Sequence, residues 1–176
     1  MFDVRDSMIL IVDMQEKLLP AIDDHEALVA RVASLAQAAR LLGVPVWATE
    51  HWPEKIGPTH ADLGPYVEHC VSKTHFDGCK ETGFTDSLPR GHGHVLLAGT
   101  EAHICVLQTG LGLAEAGYRP ALLTDCIGSR RTDDKVAALE RWRHHGLESI
   151  SLEMALFEWM QTPAHPRFRE VLALIK

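Results

Sequence analysis

The chain has 176 residues and is 46% hydrophobic, enough for one domain with a sizeable core. A formal net charge of -7, with no basic tract, leaves no phosphate-neutralising surface and argues against nucleic acid as a partner. Four cysteines (Cys70, Cys79, Cys105 and Cys126) without a CxxC spacing fit a reducing, cytoplasmic setting better than a disulfide scaffold.

The first element is the run MILIV, residues 8–12, short, continuous and rich in β-branched residues. That composition suits a strand buried on both faces of a parallel sheet, and it is too short for a signal-peptide core or a membrane span. Asp13 ends the run and so falls at the strand's C-terminal edge, where open α/β sheets place their sites. A plain turn-capping role for Asp13 is the alternative. Asp23 or Asp24 then starts a helix, with Glu26 in a capping-box-like position. Leu28, Val32, Leu35, Ala36, Ala39 and Leu42 share one helical face, and Gly43 and Pro45 end it. Val44 to Ala48 is a second strand, which completes a βαβ unit. Residues 49–65 hold three prolines and two glycines and read as a loop walling the site. His51 and His60 within it could bind a metal or be solvated loop histidines, and two histidines without further ligands make a weak site.

Glu68 to Ser72 is a third strand, followed directly by Lys73. His69, Cys70, His75 and Cys79 cluster nearby without a structural zinc spacing. Residues 77–91 are turn-rich, with one short helix around Phe84 to Leu88. Val95 to Ala98 is a fourth strand, broken by Gly99 and Thr100. The helical pattern after it places Ile104, Leu107, Leu111 and Ala114 on one face and Gly117 at its end. Pro120 to Thr124 is a fifth strand, Asp125 to Arg131 a loop, and Thr132 caps a helix running to His145. Ser149 to Leu152 is a sixth strand, and helices follow over 154–161 and 168–174. No linker or repeat divides residues 1–176, and the alternation of strands and helices predicts one doubly wound, Rossmann-like α/β domain with a parallel sheet and helices on both faces.

Cys105 stands where the fourth strand passes into its helix. The positive end of a helix dipole favours a thiolate there, and free backbone N–H groups can hold an oxyanion. Asp13, Lys73 and Cys105 each follow a strand, and parallel strands point their C-terminal ends to one edge. The three can therefore converge: a carboxylate to take the thiol proton, an ammonium to balance charge, and a sulfur to attack a carbonyl carbon. An ordinary ion pair between Asp13 and Lys73 is the competing explanation.

The motifs IVDMQ (11–15), SKTHF (72–76) and GTEAHICV (99–106) resemble those of the isochorismatase-like cysteine hydrolases, and within them the small isochorismatase-domain proteins. The resemblance continues through TDCIGSR (124–130) and AHPRFREVLALIK (164–176). It implies a six-stranded sheet in the order 3-2-1-4-5-6 and a catalytic triad of Asp13, Lys73 and Cys105. It also implies a cis Thr100–Glu101 peptide, with the backbone N–H groups of Glu101 and Cys105 as the oxyanion hole. The implied activity is hydrolysis of a small amide or related carbonyl compound through an acyl-thioester, with no cofactor and no metal, in a homo-oligomer. Nicotinamidases of that superfamily carry a D-x-H metal motif where this chain reads Thr49-Glu50-His51, and true isochorismatases lack the nucleophilic cysteine. Trp52, Phe76 and Thr100 are the candidate substrate contacts, with Phe84 as a further pocket wall, and His103 either faces the pocket or serves its own turn. Two other functions compete: a non-catalytic interaction domain, and a thiol redox protein pairing Cys105 with Cys126 or Cys70.

Overall fold

Every residue of the segment Ser7–Val12 is buried, and it forms β1 at the middle of the sheet. The computed structural model describes residues 1–176. The other strands are β2 (Val46–His51), β3 (His69–Lys73), β4 (His94–Thr100), β5 (Arg119–Gly128) and β6 (Glu148–Ile150). They pair in the order β3-β2-β1-β4-β5-β6, and every pairing is parallel. Helices connect them: α1 (His25–Leu42), α2 (Pro53–Ile56), α3 (Phe84–Ser87), α4 (Leu107–Glu115), α5 (Thr132–His144), α6 (Leu152–Met160) and α7 (Phe168–Leu174).

Alternate strand residues divide between two cores. Ile9 and Ile11 of β1 pack with the inner faces of α1, α6 and α7. Met8, Leu10 and Val12 pack on the other side with α3, α4 and α5. This is why the strand sequences are apolar without alternation: both faces are covered. Gly110 lets α4 lie close on this second face, where a Cβ would run into the Trp142 ring and Leu97.

Several sequence-based boundaries are corrected. β5 runs to Gly128, so residues 125–128, expected as a loop, belong to the strand. The β4–β5 register slips between Leu97 and Gly99: Leu97 pairs with Leu122, and Gly99 pairs with Ile127. The intervening residues of β5 bulge, a device no hydrophobic pattern encodes. β4 extends through Gly99 and Thr100, and β2 reaches His51, so residues 49–51 are strand. β3 includes Lys73, and β6 is 148–150, with Ser151 capping α6. Asp24 is the N-cap of α1 but has a left-handed backbone (φ 51°) and makes no side-chain cap bond, so the capping box is not formed. Arg131, not Thr132, is the N-cap of α5. Between β4 and α4 lies a π-helical turn, Ala102–Val106, where a continuous α-helical start was expected. No helix is long and apolar enough to cross a membrane.

Candidate active site

Asp13 follows β1 with a left-handed backbone (φ 49°), and its N–H donates to the Thr49 carbonyl at 3.1 Å. Gly99 opposite, at φ 118°, makes this turn feasible: a Cβ there would collide with the Val12 backbone. The Thr100 hydroxyl donates to the Asp13 carbonyl at 2.9 Å. The Asp13 backbone is thus tied to both neighbouring strands.

The Asp13 carboxylate is fully buried, and its two oxygens have different surroundings. Oδ1 accepts from the Thr49 hydroxyl at 2.7 Å. Oδ2 lies 2.7 Å from Lys73 Nζ, yet no donor is aligned on it as a hydrogen bond. Both side chains of this ion pair have 0% exposure. Lys73 Nζ donates instead to the carbonyls of His75 at 3.1 Å and Phe76 at 3.4 Å, which aim the ammonium at the site. Burying two charges is costly unless they neutralise each other, and here they do.

Cys105 sits on the π-helical turn, buried at 6% exposure, and its thiol faces both the Asp13 carboxylate and the Lys73 ammonium. Burial, with the Asp13 charge next, pushes the Cys105 thiol up to about 12, and Lys73 only partly opposes this. Burial and the Asp13 charge thus oppose the thiolate that the helix start favours.

The chain thus brings together three of the residues singled out by position after a strand. Of the expected substrate contacts, Phe76 is 52% exposed, stacks on the His51 imidazole at 5.3 Å, and borders a surface pocket of about 490 Å³ with Thr74, Leu111 and Gly112. The Trp52 indole donates to the Thr74 carbonyl at 3.3 Å and lies under the Lys55 ammonium, 3.6 Å from the ring. Thr100 is fully buried, with its hydroxyl committed to Asp13. Phe84 is buried in the core beside Gly78. His103 reaches across to the segment after β5, with Nδ1 3.0 Å from the Ser129 hydroxyl.

Other residues matter that the sequence did not single out. Gln15 is fully buried and stitches the loop after β2: its amide donates to the carbonyls of His51 at 3.1 Å and Gly57 at 2.6 Å, and its Oε1 accepts from the His51 N–H at 2.7 Å. Its place in the IVDMQ motif was the available signal. Thr49 gave none beyond a strand position. His51 is half-buried beside Lys73, and burial and that neighbouring charge hold its imidazole below the usual histidine range. No group of three or more His, Cys, Asp or Glu side chains is arranged to hold a metal ion. The four cysteines are all free, and Cys105 and Cys126 pack on opposite faces of the sheet.

The Thr100–Glu101 peptide is cis. Glu101 N–H and Cys105 N–H belong to the same turn as the sulfur.

A family model described as Isochorismatase domain matches residues 7–154. Isochorismatase domain-containing protein 2 of Rattus norvegicus is 33% identical over 171 residues, spanning 97% of this chain and 81% of its own length. The structure of MAR1 ribonuclease from Caenorhabditis elegans superimposes with a TM-score of 0.92 at 29% identity, covering 99% of this chain and 91% of that one. The YcaC gene product of Escherichia coli, described as an octameric hydrolase of unknown specificity, shares the fold with a TM-score of 0.86 at 19% identity, covering 99% of this chain and 86% of that one. From the family match and these relatives, this chain belongs to the isochorismatase family and carries its hydrolase fold.

Proposed function

We propose that the protein is a cysteine hydrolase of a small amide or related carbonyl substrate, with residues 1–176 acting as one hydrolase domain. The observation that carries this reading is the fully buried Asp13–Lys73 ion pair, 2.7 Å across, set beside the Cys105 thiol. A buried carboxylate next to a thiol can act as the general base that takes its proton.

The steps follow from the geometry. As the Cys105 sulfur attacks the substrate carbonyl carbon, its proton passes to Asp13 Oδ2. The new C–S bond leaves the carbonyl oxygen negative, and the backbone N–H groups of Glu101 and Cys105 receive that charge. The C–N bond breaks, Asp13 returns the proton to the departing amine nitrogen, and an acyl-thioester remains. Water then gives a proton to Asp13 while its oxygen attacks the thioester. The acid leaves and the sulfur recovers its proton. Lys73 keeps the site close to neutral throughout, which a buried carboxylate needs. These side chains suffice for every step, so the reading calls for no cofactor. Phe76 and Trp52 are the proposed substrate contacts, and Thr100 acts by fixing Asp13 rather than by touching substrate.

A thiol redox role is less well supported, because Cys126 lies across the sheet from Cys105. A non-catalytic interaction domain gives no reason to bury an ion pair beside a thiol. The ribonuclease description of the worm relative is weighed against a net charge of -7 here, a poor match for RNA phosphates. A homo-oligomer in a reducing, cytoplasmic setting completes the reading: the YcaC relative is octameric, and Met154 and Phe157 of α6 stand 49% and 43% exposed. The test is an activity screen over small amides and carbamates, with RNA included, using Cys105→Ala as the blank. Turnover that disappears in Cys105→Ala supports the reading. Equal turnover in Cys105→Ala, or none above it for any amide or carbamate, rejects it.

A further inference from the structure

Outside the three central side chains, the most heavily tied residue near Cys105 is Glu101. Its carbonyl accepts from the N–H of Ile104 at 3.0 Å and of Val106 at 3.2 Å, so it anchors the turn on both sides of the cysteine. Its carboxylate is only 6% exposed as a residue and is gripped by Arg130. Oε2 accepts from the Arg130 backbone N–H and from Nε, each at 3.1 Å, and Oε1 lies 2.9 Å from the same Nε. Two residues further along, the His103–Ser129 contact ties the same turn to the same loop. The β5 bulge brings this loop alongside, by setting Ile127 and Gly128 opposite Gly99 and Thr100. A charged pair at the head of the turn that carries Cys105, with one partner buried, is a demanding feature to keep for packing alone.

We propose that Glu101, clamped by Arg130, is a positioning residue that holds the oxyanion turn on Cys105 in register with the reacting carbonyl. This inference rests on the cysteine-hydrolase reading. Arg130 holds the carboxylate at two points, with its side-chain Nε near both oxygens and its backbone N–H on Oε2. The clamp acts on the placement of two backbone N–H donors and not on the sulfur itself. It therefore matters for acyl transfer, which builds an oxyanion, and not for simple alkylation, which does not.

The experiment compares two reactions of Cys105 in the full chain at one pH: acylation by p-nitrophenyl acetate and alkylation by iodoacetamide, each followed by the mass of the peptide that carries Cys105, which separates it from the other free thiols. The expected result for Arg130→Ala and Glu101→Gln is an acylation rate lowered about tenfold or more, short of the roughly 10²–10³ seen when an oxyanion donor is deleted. The alkylation rate stays unchanged, and Arg130→Lys recovers part of the loss. A purely structural role would move both rates together or neither. Should Arg130→Ala fail to fold, Glu101→Gln combined with Arg130→Gln buries no unpaired charge and carries the same comparison. Unchanged acylation in these variants overturns the clamp while leaving Cys105 as the nucleophile. A wild-type Cys105 that is alkylated but never acylated overturns both.

Discussion

Lys73→Met tests the buried pair at the heart of the site. Methionine has a comparable length and no charge, so packing is nearly kept while Asp13 loses its cation. In the wild-type chain Nζ and Oδ2 are 2.7 Å apart with both side chains shut off from solvent. Breaking such a pair costs about 3–5 kcal/mol, because a buried charge is left uncompensated. For a chain of this size each kcal/mol is about 2–4 °C in Tm, so a fall of about 10 °C is expected. Adding Asp13→Asn removes the stranded charge and keeps an acceptor for the Thr49 hydroxyl. The double variant should recover about 2–3 kcal/mol relative to the sum of the two single changes. Urea denaturation of all four chains gives these numbers. Additive single-variant losses would refute the claim that this contact is a buried charge pair.

Alkylation of Cys105 by iodoacetamide should climb steadily with pH toward about 12, where burial and Asp13 place its ionisation; a plateau near neutral pH would reveal a resting thiolate. The same shift has a consequence for stability. The thiols of Cys70, Cys79 and Cys105 are each raised to about 12 in the folded chain, so above about pH 9 the unfolded state ionises first and folding stability should fall as pH rises. Gly99→Ala, at φ 118° against the Val12 backbone, should destabilise by about 3 kcal/mol or more in urea, while Gly64→Ala, with open space around it, should change little. Thr49→Val keeps the shape of the side chain but strands Asp13 Oδ1, with an expected loss of about 1–3 kcal/mol and a lower turnover; full stability and activity would show that this hydrogen bond is dispensable.

Some of this protein was legible residue by residue. MILIV and VLLA announce strands covered on both faces, and the spacing of Leu28, Val32, Leu35 and Ala39 announces a helix with one buried side, because backbone period and side-chain polarity are local properties. Strand-helix alternation is enough to predict a parallel sheet, and a parallel sheet is enough to gather residues 13, 73 and 105 at one edge. The strand order came from motif resemblance, since local pattern carries no information on which strands are neighbours. What tertiary structure alone decided is non-local. The bulge in β5 exists because Leu122 and Ile127 must both find partners on β4. The pairing of Thr49 with one Asp13 oxygen, and of Arg130 with Glu101, depends on contacts 36 and 29 residues apart in the chain. How far the Cys105 thiol is pushed up depends on how much water the folded site excludes. Helix-dipole reasoning from the sequence could not weigh that, because burial is a property of the whole packed chain.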